Sequence, residues 1–472
     1  MAAEGAAPAG VGPPLRPIAP AFDGRVLALL QAALPLLLRL RLFPWLPAGI
    51  RRLEVVNGDG LCRCLHRFHH GEIRLILAFR HVEVDDPLAA LWLLGRDQPR
   101  RARRLGLAIG RPVHAHFLFD RGMTLWGGKG LGWLLGRLGG VSLRRGRRPD
   151  WTALRRARQL VREGRFPFAL APEGATNGHG ERVGPLEPGG AQLALWCRED
   201  LEREGRPRQV LILPIALQYH YLRADWPGLA RRMAGLERAL GLSPGFGPTG
   251  AAASGEEPGP DSLHPRLVRL GEALIARLER FEDLPPDPDL DRGQRLARLR
   301  ERALAVAEAR LGLRAGGTPE SRCRRIEEAV WNRVFPDDLP PLERLSPLER
   351  GLADWRAREA SLAERHMRLA ESGVAVSGFY VQERPTYERF QEITLLIHDV
   401  LARLRGDGLP ARPRLGGRRV RLSVGEPLVV GGPGPVAGDA GSGCGPSRRA
   451  RQRAAIASLN AAIRRSFEAA LL

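Results

Sequence analysis

The chain has 472 residues, 44% hydrophobic and 26% charged. That composition excludes a mainly disordered or collagen-like protein and implies two or three domains, or one domain with a large insertion. Its 73 basic residues exceed the 52 acidic ones by 21, which suits an anionic membrane surface, an anionic substrate or nucleic acid.

Lys129 is the one lysine, and an arginine excess of this kind equally follows from a GC-rich, bacterial type of genome. Five scattered cysteines make no disulfide framework and point to a reducing, cytoplasmic compartment.

In chain order, residues 1–22 are rich in Ala, Gly and Pro and read as a disordered tail. Residues 23–50 hold an apolar run from Val26 to Leu38, interrupted by Gln31 and Pro35 and closed by Arg39 and Arg41. The run is too short to span a bilayer. With Trp45 it predicts a helix lying in a membrane interface, or else one packed on the domain core.

Residues 51–224 predict an α/β core. Strands are expected at Ile73–Phe79, Ala115–Phe119, Gly140–Leu143, Phe166–Ala171 and Val210–Leu217, with helices at Asp86–Leu94, Pro149–Glu163 and Pro188–Arg203. Short apolar strands alternating with amphipathic helices imply a mostly parallel mixed sheet covered by helices.

Residues 225–415 are a linker, Gly245–Pro260, and an all-helical stretch with apolar faces such as Leu267, Leu270, Leu274 and Leu278. Residues 416–472 return to a strand, Arg419–Val430, and end in a helix, Ala450–Leu472. A lone strand needs a sheet, so it is expected to rejoin the first one and to make 225–415 an insertion.

Four segments carry chemistry. His81 follows a strand and Asp86 stands five positions on, before Pro87. A carboxylate there takes the Nδ1 proton and leaves Nε2 to accept one from a hydroxyl. Gly139–Arg145 is a strand closed by Arg144 and Arg145, a phosphate-holding arrangement or simply two solvated arginines. A third strand empties into Pro172, Glu173 and Gly174 and a glycine-rich loop, as at α/β active-site rims. The fourth, VLILPIAL, has Pro214 near its end, which suggests an edge or a terminus.

In this order and spacing the segments resemble the glycerolipid acyltransferase family, lysophosphatidic acid acyltransferase type. That family has a His-x4-Asp motif, a Gly-x-x-Phe-Ile-x-Arg motif, a Phe-Pro-Glu-Gly-Thr motif and an apolar strand with proline. The resemblance covers residues 50–222 and 418–472 and leaves the helical insertion outside it. It implies an O-acyltransferase of phospholipid biosynthesis, moving a fatty acyl group from acyl-CoA or acyl-carrier protein to a lysophospholipid hydroxyl, 1-acyl-glycerol-3-phosphate by default. No cofactor is implied beyond that co-substrate, and no metal.

By the resemblance His81 is the general base and Asp86 orients it, Arg145 is the second-motif arginine, Glu173 and Gly174 bind the acceptor, and Pro214 shapes the acyl-donor side. The chain departs from the family in Arg80 for Asn, Ser142 for Phe, and Ala175-Thr176-Asn177 for Thr-Arg-Ser. The last change removes an arginine that Arg121, Lys129, Arg144 or Arg182 would have to replace, unless the acceptor carries no phosphate. A basic, non-catalytic membrane-binding protein on the same scaffold is the alternative of a different class.

The crowd of Cys62, Cys64, His66, His69 and His70 matches no zinc spacing and reads as an ordinary surface helix. WGGKGLGWLLG around Lys129 is no phosphate loop, because Gly130 follows the lysine; it reads as a flexible segment near lipid or a plain loop. The arginine clusters 100–104 and 144–148 come without a nucleic-acid motif and with 6% aromatics, which sets nucleic acid aside and favours an anionic bilayer. The expected location is the cytoplasm, peripherally on the membrane.

Overall fold

A computed structural model describes residues 10–41, 46–47, 49–144, 149–174, 176, 178–244, 257–373, 379–407, 411–413, 416–431 and 447–471. The chain forms two compact units, one of residues 17–143, 150–222 and 417–472 built on a sheet, the other of residues 1–16, 144–149 and 223–416 built of helices.

Among the described residues the sheet unit has eight strands: β1 (Ile50–Val56), β2 (Ile73–Phe79), β3 (His116–Asp120), β4 (Gly140–Leu143), β5 (Phe168–Leu170), β6 (Gln209–Tyr221), β7 (Arg418–Val424) and β8 (Leu428–Val429). Their order is β1-β7-β6-β2-β5-β3-β4, with β8 also on β6. Neighbours from β6 through β4 are parallel, β1 is parallel to β7, and β7 and β8 run antiparallel to β6. The fold is an α/β open, mostly parallel mixed sheet.

Every residue of β2 is buried, as a strand covered on both faces requires. The period of two sends Ile73, Leu75, Leu77 and Phe79 to one layer with Leu211, Leu213, Ile215, Leu217 and Tyr219 of β6. Helices α1 (Gly24–Leu37), α2 (Gly58–His69) and α3 (Asp86–Trp92) pack Leu34, Leu61, Leu65 and Ala89 against it. Ile76, Ala78, Val210 and Ile212 face the other layer. There Ala157 and Val161 of a helix over Trp151–Glu163, Leu193 and Cys197 of one over Pro188–Arg203, and Phe467 of one over Arg448–Ala469 complete the core. Each fully buried leucine or isoleucine contributes about 1.5–3 kcal/mol.

Helix α3 continues as a π turn over Leu93–Asp97 and then as a short helix, Gln98–Leu105. Residues 126–136, expected as a flexible segment or loop, lie instead in a helix over Met123–Arg137, with one break at Gly128 (φ 79°, ψ 167°). Glycine supplies that break, and the leucines on either side keep the turns helical.

Residues 10–22 are not a free tail. In the helical unit Val11 is buried and donates to Asp354 Oδ1 at 2.8 Å. In the sheet unit the Ile18 N–H donates to Ser142 Oγ at 2.8 Å. The apolar side chains between the prolines gave this segment something to bury, and its backbone groups found partners.

The interfacial helix expected over 23–50 ends at Leu37, and Ile50 already belongs to β1. The return of 419–424 to the sheet of 210–217 is present as the β6–β7 pair, with Ala216 opposite Ser423. The expected strand 419–430 is broken at Gly425–Pro427. That gap stands beside Pro214, between the β7 partner Ile215 and the β8 partner Ile212. Pro214 is therefore in an interior strand, where its missing N–H costs no ladder bond.

The helical unit holds helices over 226–239, 260–281, 292–311, 319–334, 347–373, 379–383 and 387–405. Its core includes Leu304, Ala307, Ile326, Val330, Ala360 and Met367. Buried pairs such as Arg266–Glu237 and Arg322–Glu308 tie adjacent helices. At the boundary of the sheet unit, Leu222 N–H donates to Gly417 O at 2.9 Å.

Candidate active site

Parallel strands β2, β5, β3 and β4 end on one edge of the sheet, the position where open α/β sheets place their chemistry. His81 follows β2 on that edge. Its Nδ1 lies 2.9 Å from Asp86 Oδ2. A carboxylate only accepts, so Nδ1 carries the proton and Nε2 the lone pair. Among the described residues Nε2 has no hydrogen-bond partner, and the side chain is 28% exposed against 7% for Asp86.

Asp86 opens α3, with Pro87 in the first turn. Its Oδ2 also accepts the N–H groups of Val82 and Glu83, at 2.7 and 3.1 Å, which closes the turn from His81 to the helix. Its Oδ1 accepts the Tyr219 hydroxyl at 2.5 Å. β6 runs six residues beyond Ile215, the partner of Phe79, and so carries Tyr219 past the end of β2. Next to Asp86, Asp85 is wholly buried and paired with Arg418, whose guanidinium also lies over the Tyr219 ring at 4.7 Å. Burial pushes Asp85 and Tyr219 upward; Arg418 works against both.

Glu173 and Gly174 reach the same corner from β5. Glu173 Oε1 accepts the His81 N–H at 3.2 Å and Oε2 the Gly184 N–H at 2.8 Å, with Arg80 Nε 3.9 Å away. Gly174 has φ 76°, and a Cβ there would stand 3.1 Å from Glu187 Cγ. Arg80 is fully buried and donates to the carbonyls of His179, Gly180, Arg182 and Leu217 at 2.5 to 3.2 Å. It organises the glycine-rich loop that the sequence offered as the acceptor side.

Arg121, Lys129 and Pro214 have settings of their own. Arg121 follows β3, two strands from β2, and its guanidinium is paired with Asp150 at 2.5 Å. Lys129 sits on the exposed side of helix 123–137. Pro214 is buried in the sheet beside Ala78, below the edge. Arg145 lies outside the described residues. Among the described residues no group of three or more His, Cys, Asp or Glu is arranged to hold a metal. On α2, Cys62 and Cys64 are buried, and His66 Nδ1 is bonded to Ala108 O.

Sequence reading missed Asp85, Tyr219 and Arg418 as members of this corner. A signal existed: in β7 the inward row Val420, Leu422, Val424 begins at an arginine, and an inward arginine requires an anion.

No family model, curated protein or solved structure matches the chain.

Proposed function

We propose that the chain is an O-acyltransferase that moves a fatty acyl group from a thioester donor, acyl-CoA or acyl-carrier protein, to the hydroxyl of a lysophospholipid-like acceptor. The observation that carries this reading is the His81 Nδ1 to Asp86 contact of 2.9 Å at the carboxyl end of a parallel strand, with Nε2 open. An imidazole held in this tautomer takes the acceptor's hydroxyl proton as its oxygen attacks the thioester carbonyl. The C–O bond forms, the C–S bond breaks, and the departing sulfur receives the proton from His81. A thioester is already activated, so positioning and one base suffice, with no covalent enzyme intermediate.

The acceptor's headgroup is open to a second reading. Arg80 is spent on four carbonyls and Arg121 on Asp150, so neither offers its guanidinium to a phosphate. This removes two arginines from those that could meet the phosphate of 1-acyl-glycerol-3-phosphate and leaves an unphosphorylated lipid acceptor as the second reading.

Peripheral attachment to an anionic membrane belongs to the same reading. No helix among the described residues is long and apolar enough to cross a membrane. One side of α1 buries Leu27 and Leu34, while Leu29 and Leu36 are 72% and 59% exposed, followed by Leu40 at 46%. Such a row, flanked by arginines, suits insertion among lipid headgroups.

The test is acyl transfer by the purified protein from labelled acyl-CoA and acyl-carrier protein to lysophosphatidic acid and to unphosphorylated lysolipids and alcohols. The expected result is a product whose rate falls by about 10²–10⁴ in His81→Ala. A folded, vesicle-bound protein that acylates none of the panel would replace this proposal with the non-catalytic membrane-binding one.

A further inference from the structure

Two adjacent carboxylates, Asp85 and Asp86, enter the core on one turn, and burying two like charges together is unfavourable unless each is compensated. Arg418, 1% exposed, pairs with Asp85, 0% exposed. One cation against two anions leaves a single negative charge, and the His81 ring stands against it at 2.9 Å. Both Asp86 oxygens are fixed: Oδ2 by His81 and two backbone N–H groups, Oδ1 by Tyr219. The carboxylate cannot rotate away from the imidazole without breaking one of these bonds. The other charged or titratable groups about the cluster are Glu83 on the same turn, Arg80 just after β2, Glu173 after β5 and Tyr221 on β6.

We propose that Asp85, Tyr219 and Arg418 are positioning residues for the His81–Asp86 pair: Tyr219 fixes the Asp86 carboxylate, and Arg418 neutralises Asp85 so that one negative charge faces the imidazole. This rests on His81 as the base, but its effect is on the ring and is read without substrate. Burial alone would drive a proton onto Asp85, and the Arg418 charge opposes that.

The experiment is an NMR titration of the His81 ring in the full chain, its signal assigned by loss in His81→Gln. In Tyr219→Phe the Asp86 carboxylate loses a donor, presents more charge and favours the imidazolium. The midpoint is expected to rise by about 0.5 pH unit. In Asp85→Asn the Arg418 charge is left without its anion, so the midpoint is expected to fall, by about 1 unit. The double variant Asp85→Asn/Arg418→Met removes both charges and should return to within about 0.3 unit of the wild type.

A purely structural role would not produce shifts of opposite sign. Midpoints that stay at the wild-type value in both single variants, or move the same way, overturn the proposal. If Asp85→Asn does not fold, the sign of the Tyr219→Phe shift decides alone. A wild type that acylates nothing while these shifts hold would sink the acyltransfer reading and leave the positioning one standing; turnover without the shifts would do the reverse.

Discussion

His81 donates its backbone N–H to Glu173 Oε1 at 3.2 Å, across 92 positions of sequence. The same carboxylate takes the Gly184 N–H and faces Arg80, so Glu173 joins the β2 turn to the glycine-rich loop. Glu173→Ala removes both bonds and the anion beside a buried guanidinium. It should destabilise the fold by about 3 kcal/mol in urea unfolding and lower kcat for the proposed acyl transfer through His81. A change confined to the acceptor KM, in a protein of unchanged stability, would return Glu173 to direct acceptor binding.

Gly174, next in the chain, is in the left-handed region and lacks space for a side chain against Glu187. Gly174→Ala is expected to cost about 1–3 kcal/mol from backbone conformation alone. Chemical denaturation measures it, and a loss below a few tenths of a kcal/mol would mean that the loop relaxes.

Stability should fall on acidification through His114. Burial holds its pKa down at about 4, the Leu138 carbonyl only partly offsetting this, while in the unfolded chain it titrates near 6.5. Above 6.5 both states are neutral and the group contributes no pH dependence. Between 6.5 and 4 the unfolded chain binds a proton that the folded one refuses, so stability drops by about 1.4 kcal/mol per pH unit, roughly 3 kcal/mol in all. His114→Phe keeps an aromatic ring against Phe22 and Phe166 and should flatten this limb, compared by urea unfolding at pH 7, 6 and 5. An equally steep limb in the variant would assign the proton uptake elsewhere.

Membrane attachment through α1 predicts that Leu29→Glu/Leu36→Glu weakens binding to anionic vesicles. Two exposed leucines are lost and two anions added, for at least about tenfold in cosedimentation, with the fold intact because neither side chain is buried. Undiminished binding would shift the contact to another face.

Much of the sheet was legible because β2 and β4 are short apolar runs with clear ends, at the residues expected. β1 was not, since IRRLEVV carries three charges in seven residues and its burial comes only from β7 and the helices beside it. The His81–Asp86 pair is local in sequence and was readable from six residues. Its support is not, because Tyr219 and Arg418 arrive from strands paired in register far along the chain. Residues that act through a fold, rather than through a motif, carry no spacing that a sequence displays. Glu173 stood out in the sequence as an acceptor-side residue, but only the backbone N–H groups around it disclose what its carboxylate holds.

The bond between Leu222 and Gly417 gives the helical unit an unusual standing in the chain's own connectivity. Strands β6 and β7 form an antiparallel hairpin, with Arg418 opposite Tyr221, and residues 223–416 occupy the place of its turn. Because loop-closure entropy grows only with the logarithm of length, a folded module whose two ends already meet there adds little to the cost of closing the hairpin. The hairpin register that delivers Arg418 to Asp85 is thus set by strand pairing at the neck. To the sheet, residues 223–416 are a single turn.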